Sequence, residues 1–146
     1  MLRSGLSAFL RNLRNRKAFK VPSETRHISR ASAKILGGLA GLRLDEGSAF
    51  DIRLCVEEAV RNAIVHGNHS DRRRAVRVAY WVDGPDIFIE IEDEGAGYDH
   101  NALADPTGSG RITANCGRGV YLIKKLMDKV VFNDKGNRIT MMKRLA

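Results

Sequence analysis

Apolar and small residues recur at helical intervals from Glu24 to about Leu42, with Ile28, Ala31, Ile35, Leu36 and Leu39 on one stripe. Ser23 stands where an N-cap belongs and Gly41 falls near the end, so the spacing predicts a first helix. A second helical pattern runs from about Gly47 to His66 and stops at Gly67. Two alternating stretches follow, AVRVAYWV and DIFIEIED. Val76, Val78, Tyr80 and Val82 share one face, and Ile87, Ile89 and Ile91 the matching one. The DGPD between them, Asp83 to Asp86, reads as a hairpin turn. After Asp93 the periodicity dissolves over residues 94–119, which hold Gly95, Gly97, Gly108, Gly110, Gly117 and Gly119, more backbone freedom than a plain connection needs. A third helix is predicted from about Val120 to Met127. Two strands, KVVFND and NRITMMKR, then flank a turn at Asp134 to Asn137. Ala18 to Pro22 is a short extended candidate ahead of the first helix. This order predicts an α+β fold, a two-layer α/β sandwich in which about three helices cover one face of a mixed, mostly antiparallel sheet.

Composition narrows the picture. A chain of 146 residues suits one domain that buries its own core, here 18–146 behind an N-terminal arm 1–17. Cys55 and Cys116 are far apart, have no metal-ligand spacing and follow no secretory signal, so a cytoplasmic protein with free thiols is expected. No apolar run approaches the roughly 18 residues of a membrane span. The net charge of +8 admits a nucleic-acid partner, a membrane surface or a basic exterior around an anionic ligand. The arm carries Arg3, Arg11, Arg14, Arg16 and Lys17 ahead of the first acidic residue, Glu24. Leu2, Leu6, Phe9, Leu10 and Leu13 give it near-helical spacing, so it reads either as an amphipathic helix that docks elsewhere or as an extension without a role of its own. Arg72, Arg73 and Arg74 follow Asn68, His69, Ser70 and Asp71 in what reads as a solvated loop. No aromatic and basic interleaving or reading motif appears, so direct nucleic-acid binding ranks last.

The second helix carries candidate chemistry. At about 100° per residue, Ile52, Val56, Ala59, Val60 and Ala63 share the face that should pack on the sheet. Asp51, Cys55, Glu58, Asn62 and His66 cluster beside it. Glu57 points elsewhere, next to Arg53 and Arg61, where four-residue spacings suit exposed ion pairs. Past the isoleucine-rich strand come Asp93, Glu94, Gly95, Ala96 and Gly97. An aspartate at a strand end can accept a hydrogen bond from an exocyclic amine, and the glycines after it let the backbone approach a flat ring. Gly117, Arg118 and Gly119 introduce the third helix, whose N-terminus suits phosphate. Asn62 offers a neutral oxygen to Mg2+, a hard cation.

In this order, E-x-x-x-N on a helix, D-x-G-x-G after a strand, a long loop and G-x-G at a helix resemble the GHKL-type (Bergerat, histidine-kinase-like) ATPase fold. Histidine kinases, DNA gyrase and the mismatch-repair ATPase MutL share it. The resemblance covers about residue 18 to the C-terminus. EEAVRNAIVHGN, in a domain without a phospho-accepting helical hairpin, is most similar to the bacterial anti-sigma-factor serine/threonine kinases of sporulation and general-stress switches. There the stretch reads S-E-A-x-x-N-A-x-x-H, and here Glu57 replaces the serine.

The resemblance implies that Asn62 holds the magnesium ion, Asp93 binds the adenine amine of ATP, and Gly95 and Gly97 line the purine pocket. Gly117 and Gly119 would cradle the phosphates, and residues from about Asp99 to Cys116 would act as a lid. Arg118 reads equally as a phosphate contact or an exposed cation. Glu58 would be the general base for an incoming serine hydroxyl. His66 reads either as a neighbour of the lid or as a ring closing its helix. The family often opens its last strand with Gly-Thr, whose hydroxyl helps the aspartate; here Asn137 and Arg138 follow Gly136, leaving Asn137 or Thr140 as the substitute. The activity implied is phosphorylation of a small anti-sigma antagonist by a protein that also binds a sigma factor, as a homodimer. Two alternatives stand beside it: an ATP-binding regulatory module without kinase activity, and a detached histidine-kinase-like catalytic domain.

Overall fold

A computed structural model describes residues 5–7, 15–97 and 114–145, with the backbone alone for residues 114–118. The alternating stretches become β2 (Ala75–Asp83) and β3 (Asp86–Glu92), paired antiparallel with Ala79 opposite Glu90. Gly84 turns the corner at φ 59°, a conformation that a tight hairpin demands and that glycine adopts freely. β1 (Lys17–Pro22) lies outside β2, β5 (Arg138–Arg144) beside β3, and β4 (Lys129–Phe132) at the far edge, in the order β1-β2-β3-β5-β4. All four pairings are antiparallel, so no mixed pairing occurs among the described residues. The reason is the return path: the chain reaches the far edge as β4, and a short turn brings β5 back beside β3.

Lys17 opens β1 and belongs to the sheet rather than the arm. Arg16 is docked as well, donating from Nη2 to Glu90 Oε1 at 3.2 Å with its guanidinium 5.8 Å from the Trp81 ring centroid. Of the rest of the arm, residues 5–7 are an exposed helical turn, and Arg3, Arg11 and Arg14 lie outside the described residues.

The first helical stretch arrives in three pieces: a 3-10 turn at Thr25–His27, α1 (Ile28–Gly38) and a second 3-10 turn at Ala40–Leu42, closed by Arg43 at φ 53°. Ser23 is not its cap. The hydroxyl, 1% exposed, donates instead to the Arg74 carbonyl at 2.6 Å. Gly38 lies against the sheet so closely that a Cβ would stand 2.7 Å from Cζ of Tyr80.

α2 (Glu46–Asn62) begins one residue ahead of Gly47 because Asp45 caps it, accepting the Ser48 N–H on Oδ2 at 3.2 Å. Hydrogen bonds from Ser48 hold the Asp45 carboxyl below its usual range. After Asn62 the helix widens into a π turn, Ala63–Gly67, with the Asn68 N–H bonded to the Ala63 carbonyl at 2.8 Å. Such widenings recur at functional sites. The predicted apolar stripe of α2 is buried throughout, and Ile52, Val56 and Val60 meet Val76, Val78, Ile87, Ile89 and Ile91 in one core. Each such side chain contributes about 1.5–3 kcal/mol by leaving water. α3 (Ala114–Leu126) completes the helical layer and anchors it through Ile123. Among the described residues no helix is long and apolar enough to cross a membrane.

Candidate functional site

Asp93 sits where the chain leaves β3, 8% exposed. Its N–H donates to the Asn137 carbonyl at 2.9 Å, and Asn137 Nδ2 donates back to the Asp93 carbonyl at 2.8 Å. The carboxylate is engaged on one side, where Oδ1 accepts the Gly95 N–H at 2.8 Å. Oδ2 makes no hydrogen bond among the described residues. Burial pushes the Asp93 carboxyl above its ordinary range, against the opposing pull of the Gly95 amide.

Three glycines make this placement possible. A Cβ on Gly67 would lie 2.7 Å from Asp93 Oδ1, and one on Gly95 would lie 2.8 Å from the Gly67 carbonyl carbon. Gly97 adopts φ 76° and faces the Lys135 backbone. Gly95 and Gly97 therefore shape the turn that holds Asp93, while the walls of the neighbouring cleft come from other residues.

That cleft is narrow, with about 30 Å³ open to water, and both Asn62 and Asp93 line it. Ile91 and Ile139 give it an apolar floor, Val120 and Ile123 of α3 a wall, and Asn137 a polar rim. A buried carboxylate on an apolar cleft, with one oxygen unbonded among the described residues, can accept a hydrogen bond from an amine. The Asn62 carboxamide on the same cleft offers an oxygen that could ligate a hard cation. Among the described residues no cluster of three or more carboxylates, imidazoles or thiols is placed to hold a metal. An ion there would take most of its ligands from phosphate and water, as Mg2+ commonly does.

α3 reaches this edge at Gly119. A Cβ there would come within 3.0 Å of Asn62 Nδ2 and 3.1 Å of Glu58 Oε2, so glycine lets the two helices meet at the acid and amide. The third helix was expected from Val120 with Gly117 and Gly119 ahead of it. In the structure both glycines lie inside α3, and at Gly119 the close contact with Glu58 and Asn62 offsets the low helix propensity of glycine. The side chain of Arg118 and most of the expected lid, residues 98–113, lie outside the described residues. Glu58 itself stands beside the cleft, 24% exposed, with Oε1 accepting from Arg61 Nη1 at 2.8 Å.

Several expectations change at the periphery. Glu57 is not an exposed partner of Arg53 or Arg61; its Oε2 accepts the Ser32 hydroxyl at 2.7 Å and ties α2 to α1. Asn68 is completely buried rather than part of a solvated loop. Thr140 pairs with Val131 and Glu90 on the face away from the helices, so of the two substitutes only Asn137 reaches Asp93. His66 lies on the π turn, outside the cleft lining.

Sequence reasoning missed Gly67, which it read as a helix stop, and Asn133, which it read as part of the strand KVVFND. Asn133 Oδ1 accepts the N–H groups of Gly136, Asn137 and Arg138 at 2.9, 3.1 and 3.0 Å, and its Nδ2 donates to Asn137 Oδ1 at 2.8 Å. The spacing of two asparagines across a Gly-containing turn was the available signal.

The fold is an α+β domain with a narrow cleft between the sheet and two of its helices. Comparison with known proteins carries this further: the Histidine kinase-like ATPase domain family matches residues 21–143, and the chain belongs to that family. It is similar to the serine-protein kinase RsbW of Oceanobacillus iheyensis, 26% identical over 134 residues, covering 87% of this chain and 85% of the relative. RsbW of Bacillus subtilis is 26% identical over 133 residues, covering 86% and 83%. The anti-sigma F factor of Clostridium perfringens is 32% identical over 100 residues, covering 65% and 71%.

Proposed function

We propose that this protein is an ATP-dependent serine kinase and anti-sigma factor, which phosphorylates a small antagonist protein and binds a sigma factor. The observation that carries the reading is the shared cleft of Asp93 and Asn62, with Asp93 itself buried. Membership of the ATPase family and the names of the relatives support it.

ATP would supply the phosphoryl group and Mg2+ would offset its charge as it moves. Asp93 Oδ2 accepts the exocyclic amine of the base, and the Asp93–Asn137 pair keeps that oxygen in place. Asn62 holds the cation through its carboxamide oxygen. Gly119 brings α3 against Glu58 and Asn62, and its neighbours Gly117 and Arg118 would complete the phosphate end of the site. Glu58 Oε2 takes the proton of the incoming serine hydroxyl. The serine oxygen then bonds to the γ-phosphorus while the bond to the bridging oxygen breaks and leaves its electron pair on ADP. In the same reading the protein works in the cytoplasm as a homodimer, without direct contact to nucleic acid.

The test is incubation with γ-labelled ATP, Mg2+ and the proteins of the native cytoplasm. The reading predicts phosphoserine on one small acceptor, absent with Glu58→Gln. Label on histidine would indicate a histidine-kinase-like catalytic domain instead. ATP binding with no labelled acceptor would indicate a regulatory module.

A further inference from the structure

Asn68 follows the π turn and is 0% exposed, a placement a carboxamide tolerates when its polar atoms are engaged. Its Nδ2 donates to Ser23 Oγ at 3.0 Å and to the Ala75 carbonyl at 3.2 Å, and its Oδ1 accepts the Glu94 N–H at 2.8 Å. One side chain thus joins the end of β1, the start of β2 and the residue after Asp93. Ala75 returns the tie, its N–H donating to Glu94 Oε2 at 2.6 Å.

The Glu94 N–H belongs to the same peptide group as the Asp93 carbonyl, and Asn137 Nδ2 binds that carbonyl from the other side at 2.8 Å. This peptide plane is therefore held at both ends by buried or half-buried carboxamides, one from the π turn and one from the β4–β5 turn. Rotation of the plane would move the chain that follows it and swing the Gly95 N–H away from Asp93 Oδ1, the bond that fixes the carboxylate. Within the chain the two clamps are independent, since Asn68 and Asn137 share no hydrogen bond.

We infer that Asn68 is a positioning residue of the nucleotide site, which clamps the Asp93–Glu94 peptide and so aims Asp93 Oδ2 at the base. The inference rests on the reading of Asp93 as the acceptor of the base amine. Asn68 is fully buried and outside the cleft lining, so it acts through Asp93. Its partner Ser23 serves as the comparison, because it is equally buried and shares the network but lies on the side away from Glu94.

The experiment titrates ADP by calorimetry into wild type, Asp93→Asn, Asn68→Ala and Ser23→Ala, and unfolds each in urea. Asn68→Ala is expected to weaken ADP binding about five- to tenfold, as the loss of one hydrogen bond requires. Ser23→Ala is expected to lose stability yet bind ADP within about twofold of wild type. In the nucleotide-free protein the Gly95 amide resonance is expected to shift in Asn68→Ala and to hold its position in Ser23→Ala. Should Asn68→Ala not fold, Asn68→Ser, whose side chain is too short to reach the Glu94 N–H, takes its place. Unchanged ADP affinity in the folded Asn68 variant, or an equal loss in Ser23→Ala, overturns the inference. If Asp93→Asn binds ADP as wild type does, the nucleotide reading itself falls; if it loses binding while the Asn68 variant keeps it, this inference alone falls.

Discussion

Asn137 and Asp93 hold each other by two hydrogen bonds, main chain to main chain at 2.9 Å and side chain to main chain at 2.8 Å, across 44 residues of sequence. Asn137 follows Gly136 where the resemblance led us to expect a hydroxyl. It acts differently: the carboxamide grips the aspartate's backbone and leaves the carboxylate to Gly95 and to whatever enters the cleft. Asn137→Ala removes one donor and strands Asn133 Nδ2. It is expected to destabilise the fold by about 1–3 kcal/mol and to weaken ADP binding, measured by urea denaturation and calorimetry. Wild-type values for both would mean that the turn holds Asp93 without this side chain.

Gly67→Ala places a methyl group against the Asp93 carboxylate. The strain is expected to cost about 1–3 kcal/mol of stability and to move the acceptor oxygen, so ADP affinity falls together with the unfolding midpoint. Gly37→Ala serves as the control, because a Cβ there meets nothing within 4 Å. That variant is expected to keep both properties.

The pH dependence of Asp93 runs opposite to that of a salt-bridged carboxylate. Burial raises its pKa in the folded state. Its contribution to stability is thus fully present below the unfolded pKa of about 3.9 and is lost as pH rises through the higher folded value. Asp93→Asn, which has no charge to bury, is expected to be more stable than wild type at pH 7. The gain should shrink as the wild-type carboxyl becomes protonated in acid, as urea unfolding at a series of pH values would show. A gain that stays constant with pH would contradict a buried charge at this position.

Cys55 gives a clean reading of core integrity. Burial pushes its thiol up to about 12, with Asp51 adding to the effect, so the reactive thiolate is scarce at ordinary pH. With Cys116 replaced by serine, alkylation of Cys55 at pH 8 is expected to be slow in the native protein and to rise with the urea transition. Rapid labelling in the absence of denaturant would show that α2 does not seal the core at this turn.

Much of the fold was legible because it rests on local period. The stripe through Ile52, Val56 and Val60 and the alternation through Val76, Val78 and Tyr80 each report a single element meeting a single core. The acid and amide of α2 were legible too, since residues four apart share a helix face. What escaped is set by contacts between distant segments. Nothing near Gly67 announces that Asp93 will lie on it, nor does the Asn68 neighbourhood announce the Glu94 amide. Gly117 and Gly119 look like a helix entry until Glu58 and Asn62 come from another helix to fill the space beside Gly119. Glu57 reads as surface charge until Ser32 of α1 is placed beside it.

Glu58→Gln isolates the chemical step. The amide cannot take up the serine proton, so phosphoryl transfer is expected to fall by about 10²- to 10⁴-fold while ADP affinity is kept. Undiminished labelling of the acceptor would remove Glu58 from the role of base.

The most direct measurement is calorimetric titration of ADP with Mg2+ into wild type, Asp93→Asn and Asn62→Leu. Wild type is expected to bind. Asp93→Asn is expected to lose about 10- to 100-fold in affinity because an amine then faces an amine, and Asn62→Leu to lose the enhancement that Mg2+ brings. Equal ADP affinity in wild type and Asp93→Asn, with the same response to Mg2+ in Asn62→Leu, would contradict a nucleotide seated between these two residues.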